Sequence, residues 1–171
     1  MKNGELNAED IIRFIEKQSL NSAYDLVVSE FCPYQENRRI DLFYFKRWDR
    51  QTKGYEIKVN RSDFLNDKKW QEYLKFCTWF SFIAPLGIIK KEELPNKIGL
   101  VEVEVIEIPK EELSWREKDK DIEEDEKHYR LKMHITKKAR KINEEIKESE
   151  YIRLLEGLLF KLIYNKNIRS I

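Results

Sequence analysis

The chain has 171 residues, of which 38% are charged, 41% hydrophobic and 12% aromatic. That length suits one domain with its own core, or one domain with an appendage, and the aromatic content excludes a simply disordered chain. No apolar run approaches the roughly 20 residues of a membrane span, the first residues lack the apolar stretch of a signal peptide, and two cysteines, Cys32 and Cys77, make no disulfide framework. The expected home is the cytoplasm, with no membrane partner.

The net charge of +1 hides a sorted distribution. Residues 36–80 carry eleven Lys/Arg against seven Asp/Glu, residues 110–127 five against nine, and residues 128–171 eleven against five. Two basic segments flank an acidic one. A nucleic-acid-binding face needs only such a local positive field.

In chain order, residues 8–19 predict an amphipathic helix with Asn7 as its cap. Residues 24–33 read as a strand ended by Pro33, and the aromatic-rich residues 38–46 as a second. Residues 48–54 hold turn formers and predict a hairpin loop, followed by a third strand at 55–59. The period then changes. Ser62 is the expected cap of a helix from Asp63 to about Cys77, with Trp70, Tyr73 and Leu74 on its apolar stripe. Residues 79–84 predict a fourth strand stopped by Pro85 and Gly87, and residues 98–108 a fifth, half-exposed one. The charged run 111–128 reads as a helix-prone connector or a mobile loop. From Thr136 to Asn165 the stripe of Ile142, Ile146, Ile152, Leu155, Leu159 and Leu162 predicts a long helix, which packs back on the sheet or meets a second copy as a homodimer. The expected architecture is α/β, a mixed central sheet with flanking helices. The expected organisation is a core over 1–108, a charged connector over 109–135 and a C-terminal helical extension over 136–171.

The chemistry concentrates in residues 38–76. Asp41 interrupts an apolar strand, an unfavourable place for Asp. Fifteen residues later comes Glu56-Ile57-Lys58 in the next strand. Residues i and i+2 of a strand share a face, so Glu56 and Lys58 project together. If the two strands pair as a hairpin, Asp41 comes close to Glu56. Close carboxylates raise each other's pKa, a cost that a divalent cation removes. Mg²⁺ takes oxygen ligands, acidifies a bound water and stabilises charge on a phosphate. The bland alternative is a solvated surface ion pair.

These residues resemble a family. The spacing D-x(14)-E-x-K in adjacent strands with a helix after them is similar to the PD-(D/E)XK nuclease superfamily. Arg39-Ile40-Asp41, Tyr55 to Phe64, Asp67-Lys68-Lys69-Trp70 and Tyr73, with the later Leu94-Pro95 and Gly99-Leu100-Val101, resemble its MmcB-like DNA-repair branch. The resemblance spans roughly residues 24–105. It implies a restriction-endonuclease-like α-β-β-β-α-β core and Mg²⁺-dependent hydrolysis of DNA, with Mn²⁺ as a substitute. It implies Asp41 and Glu56 as metal ligands and Lys58 as the catalytic lysine. An additional acid from an earlier element would be Glu30, with Glu16 behind it. Ile40 stands where the motif's name has proline, and Gln71 lacks the tyrosine four residues on that some relatives carry.

Arg39, Arg61, Lys68 and Lys69 are candidates for phosphate contacts, and Asp67 for a place near the site. Trp70, Tyr73, Trp79 and Phe80 have the spacing of core residues more than of base-stacking ones, whereas Trp48 sits in a loop between basic residues. His128 and His134 lack zinc spacing. Three functions stay open: a DNA nuclease, an inactive nuclease-fold module that binds DNA or a protein, and an assembly protein that uses its C-terminal helix.

Overall fold

In the computed structural model, six strands form one mixed sheet whose spatial order follows the chain. Residues 6–19, 25–46, 50–109, 112 and 128–168 are described; Trp48 and most of the acidic connector lie outside them. Strands β1 (Asp25–Phe31), β2 (Ile40–Lys46) and β3 (Thr52–Ile57) form an antiparallel meander, as short connections dictate. Strand β4 (Trp79–Pro85) runs parallel to β3 and therefore needs a crossover. Helix α2 (Arg61–Asn66) and a 3₁₀ turn (Trp70–Phe76) supply it. Strand β5 (Gly99–Ile108) is parallel to β4, and β6 (His128–Lys137) closes the sheet antiparallel to β5.

Alternation along the strands loads both faces. Leu42, Ile57, Ile83, Val103 and Leu131 face helix α1 (Ala8–Ser19), which buries Ile11 and Ile15 against them. Asn7 caps α1 as expected, accepting the Asp10 N–H at 2.9 Å. The opposite face carries an aromatic core. Phe31, Phe43, Phe45, Phe80 and Phe82 pack with Trp70, Tyr73 and Phe76 of the crossover and with Leu154 of helix α3 (Glu148–Ile168). Trp70 lies against Phe80 with ring centroids 5.8 Å apart, so the crossover aromatics are core residues.

Three sequence expectations shift in this region. Residues Thr52–Gly54 belong to β3, not to a loop. Thr52 is fully buried, and its hydroxyl donates to the Phe76 carbonyl at 2.6 Å. A Cβ at Gly54 would lie 2.7 Å from Cys77 Sγ, so only glycine lets the crossover approach this closely. The helix expected over 63–77 breaks in two. Asn60, not Ser62, caps α2 by accepting the Asp63 N–H at 2.9 Å, and the chain leaves the helix at Asp67 before tightening into the 3₁₀ turn.

The predicted connector and extension also divide differently. Strand β6 takes 128–137 and pairs with β5 along its length, so the expected boundary at 135 falls inside a core strand. Helix α3 starts at Glu148, twelve residues after the expected Thr136. The intervening chain is held by tertiary bonds instead: Ile142 N–H donates to Thr78 O at 2.8 Å, and Asn143 Nδ2 donates to the carbonyls of Leu74 and Cys77 at 2.7 and 2.9 Å. Helix α3 packs back on the sheet. Its outer stripe of Ile152, Leu155, Leu159, Leu162 and Ile163 stays exposed. Among the described residues no helix is long and apolar enough to cross a membrane.

Candidate active site

The β2–β3 register pairs Leu42 with Tyr55 and, continued one step, sets Asp41 opposite Glu56. Strand β2 begins and β3 ends here, on the aromatic face of the sheet, where the crossover begins. Asp41 closes the hairpin chemically: its Oδ2 accepts the Ile57 N–H at 2.7 Å. Glu56 and Lys58 share a face, as period two requires, and Lys58 Nζ donates to Glu56 Oε1 at 3.0 Å. The break after α2 delivers Asp67 to the same point, with Oδ2 2.6 Å from Lys58 Nζ. One ammonium thus sits between two carboxylates, with a third beyond. All four side chains are largely withdrawn from solvent.

The electrostatics follow from that crowding. Burial pushes the Glu56 carboxyl up from its ordinary 4.5, the Asp41 charge pushes it further, and Lys58 offsets only part, leaving it at about 7. Asp41 is also raised, first by burial and then by the charges of Glu30 and Asp67, against the Ile57 N–H and Lys58. Burial works against the Lys58 charge, but the hydrogen bonds and charges of Asp67 and Glu56 outweigh it and hold the ammonium above its usual range. Asp67 is lowered: burial opposes its charge, and the Lys58 hydrogen bond with the Lys69 N–H overcomes that. The second Glu56 oxygen, Oε2, is buried with no hydrogen-bond partner. A buried oxygen left without a partner is costly, and more so when the carboxyl is ionised.

Among the described residues no group of three or more His, Cys, Asp and Glu side chains gathers closely enough to hold an ion by itself. Mg²⁺ does not require one. It is commonly held by one or two carboxylates, with water and substrate phosphate completing its six oxygens. Asp41 and Glu56, whose Oε2 is orphaned, fit that all-oxygen, two-carboxylate pattern.

The other expected site residues are spread around this centre. Glu30 lies on β1 across from Asp41, at the one step where the β1–β2 pairing skips, and its backbone is left-handed at φ 47°. Its carboxylate turns away to Arg39 Nη1 at 2.5 Å, and both side chains are exposed. Glu30 therefore reaches Asp41 through its charge and forms no close third ligand. Glu16 sits half-buried on α1, where with Glu30 it acts on Lys161. Arg61 was expected at phosphates. Its guanidinium is instead forked onto Glu93 and donates to the Ile88 carbonyl at 2.9 Å, which fixes the β4–β5 loop. Lys68 and Lys69 are exposed beside Asp67, with no carboxylate in ion-pair range among the described residues. His134 is half-buried against Glu104 at 3.3 Å, far along β6. Cys77 is a buried free thiol and Cys32 a half-buried one.

One further contributor has the spacing of a core residue more than of a base-stacking one. Tyr73 buries its ring, yet its hydroxyl donates to the Arg39 carbonyl at 3.1 Å, bracing the chain two residues before Asp41. Its hydroxyl is raised by burial and then by the charges of Glu56, Asp67 and Asp41. No periodicity would reveal this, because the ring obeys the core pattern and only the polar tip serves the site.

No protein-family model matches the chain, and no curated protein matches it. Among solved structures it is similar to a protein of unknown function from Silicibacter pomeroyi, at 17% identity and a TM-score of 0.61. That match covers 99% of this chain and 92% of the other. At such identity the likeness shows a common fold and nothing about chemistry.

Proposed function

We propose that the chain is a metal-dependent nuclease with a restriction-endonuclease-like core, hydrolysing phosphodiester bonds in DNA, in repair or in processing of mobile-element DNA. The observation that carries this reading is the meeting of Asp41 and Glu56 across β2–β3, with Glu56 Oε2 orphaned and Lys58 at 3.0 Å from the other oxygen. The PD-(D/E)XK resemblance has these three residues in these roles. Asp41 and Glu56 would hold Mg²⁺, or Mn²⁺ in its place. The ion would supply Lewis-acid polarisation of the phosphate and a more acidic water.

The chain's own residues do the rest. The two acidic partners of Lys58 favour its charged form, which makes it a better hydrogen-bond donor than general base. It donates hydrogen bonds, which suits it to orient an attacking water or to neutralise charge developing on phosphorus. Asp67 holds that ammonium from the other side and fixes its direction at 2.6 Å. Ile57 N–H and the Tyr73–Arg39 bond hold the Asp41 carboxylate and its approach rigid. Lys68 and Lys69, exposed beside Asp67, would supply the positive charge that a DNA backbone requires.

The test is cleavage of end-labelled single-stranded, duplex and branched DNA with Mg²⁺ or Mn²⁺, beside Glu56→Gln and Lys58→Ala. The expected result is cutting by the parent, none in EDTA, and loss in both variants. A parent that cuts nothing and takes up neither ion overturns the reading and leaves a binding module of the same fold.

A further inference from the structure

Helix α1 is short and covers only one end of its face of the sheet, over Leu42, Ile57, Ile83, Val103 and Leu131. Beyond it the same face opens into a cavity of about 300 Å³ at the start of the parallel strands. We propose that this cavity, framed by Lys46, Lys53, Trp79, Ser81, Ile135 and Lys138, binds a nucleoside phosphate. Nothing in it depends on the nuclease reading. Glu56 lies three residues from Lys53 along β3, about 10 Å at about 3.3 Å per residue, and faces the other side of the sheet.

The lining has one sign of charge. Four lysines and no Asp or Glu contribute to it among the described residues. Lys137 is committed: its ammonium donates to the carbonyls of Leu94 and Pro95 at 2.7 and 3.0 Å, and to Lys91 O at 3.3 Å. Lys46, Lys53 and Lys138 have no carboxylate in ion-pair range among the described residues, so three ammoniums remain for an anion. Lys46 Nζ stands 5.5 Å over the Trp79 ring, which ties charge and indole into one edge of the cavity. Lys53 and Trp79 are direct register partners on adjacent strands, so a second charge borders the same ring.

The remaining wall is apolar and aromatic: Tyr55, Val101 and Ile135. The Ser81 side chain adds a hydroxyl to the lining. A ligand complementary to this needs a planar ring for the indole and apolar wall, and concentrated negative charge for the lysines. Inorganic phosphate lacks the first and a nucleoside the second. The volume lies at the lower end for small-ligand pockets, which suits a single nucleotide unit. That unit is either a free nucleotide or the terminal one of a single strand.

The test is calorimetric titration of the full chain in EDTA, which silences any metal-dependent cleavage and so keeps the two readings separable. The probes are AMP, adenosine, inorganic phosphate and 5′-phosphorylated hexathymidylate. The expected result is that AMP or the hexanucleotide binds, that adenosine and phosphate bind at least about tenfold more weakly, and that Lys53→Ala/Lys138→Ala weakens the nucleotide by about tenfold or more. Trp79→Ala is expected to do the same, and the lysine pair keeps the test sound if that variant fails to fold. AMP tighter than the hexanucleotide identifies a free ligand, and the reverse identifies a strand end. Absence of binding by both at millimolar concentration, or binding that ignores the lysine variant, overturns the proposal.

Discussion

Replacing Glu56 by Gln separates the electrostatic cost of the candidate site from its chemistry. Gln keeps the shape and an oxygen for Lys58 but removes one of two facing charges. The Glu56 carboxyl is raised in the folded chain, so its stabilising contribution is complete below about 4.5 and is lost as pH climbs through about 7. That gap corresponds to about 3 kcal/mol at about 1.4 kcal/mol per pH unit, as a property of the coupled Asp41–Glu56 pair. Relative to the parent, Glu56→Gln should therefore gain up to about 3 kcal/mol between pH 4.5 and pH 8, or about 6–12 °C in Tm for a chain of this size. Urea unfolding of both proteins in EDTA at several pH values between 4.5 and 8 measures it. Mg²⁺ should restore the parent at pH 8 and leave Glu56→Gln unmoved, since a bound ion stabilises only the chain that holds it. Parallel stability curves for the two proteins would refute the account of the crowded carboxylates.

The remaining predictions concern the surroundings of that pair. Lys58→Met should destabilise by about 3 kcal/mol at pH 8 in urea unfolding, because it strands Glu56 and Asp67 without their cation, and the loss should shrink at pH 5 as Glu56 takes up a proton. Lys68→Ala/Lys69→Ala should leave Tm nearly unchanged while weakening DNA association and flattening its salt dependence, read by fluorescence anisotropy across a salt series. Gly157→Ala should destabilise by about 2 kcal/mol, although Ala usually gains about 1 kcal/mol over Gly inside a helix. Its Cβ would lie 2.5 Å from the Cys32 carbonyl and 3.1 Å from the Tyr34 nitrogen, so thermal unfolding and hydrogen exchange should show α3 lifted from the sheet.

Much of this arrangement was legible locally. The aromatic, β-prone run Ile40–Lys46 marked one strand, and period two along Tyr55–Ile57 set the face of Glu56. The short link between them implied a hairpin, and a hairpin with that spacing brings Asp41 to Glu56. Asn7, Pro33 and Pro85 marked element ends for local reasons that hold in any context. Strand β6 was missed although Tyr129, Leu131, Met133 and Ile135 alternate, because the charged residues between them and the long acidic run before them resemble a solvated connector.

What no local rule supplies is where distant groups meet. Asp67 reaches Lys58 because the crossover breaks after Asn66 and the chain beyond it turns Trp70 and Phe76 onto the sheet. Arg61 looks like a phosphate ligand in sequence and is captured by Glu93, 32 residues away. The β3–β4 pairing is parallel, so Lys53 meets Trp79 across a connection that carries no sign of it. Composition, periodicity and caps act within a few residues and so determined most of the elements and which side chains each one carries. Ion pairing, burial and the shift of Glu56 to about 7 arise between segments far apart in the chain, and only the folded structure decides them.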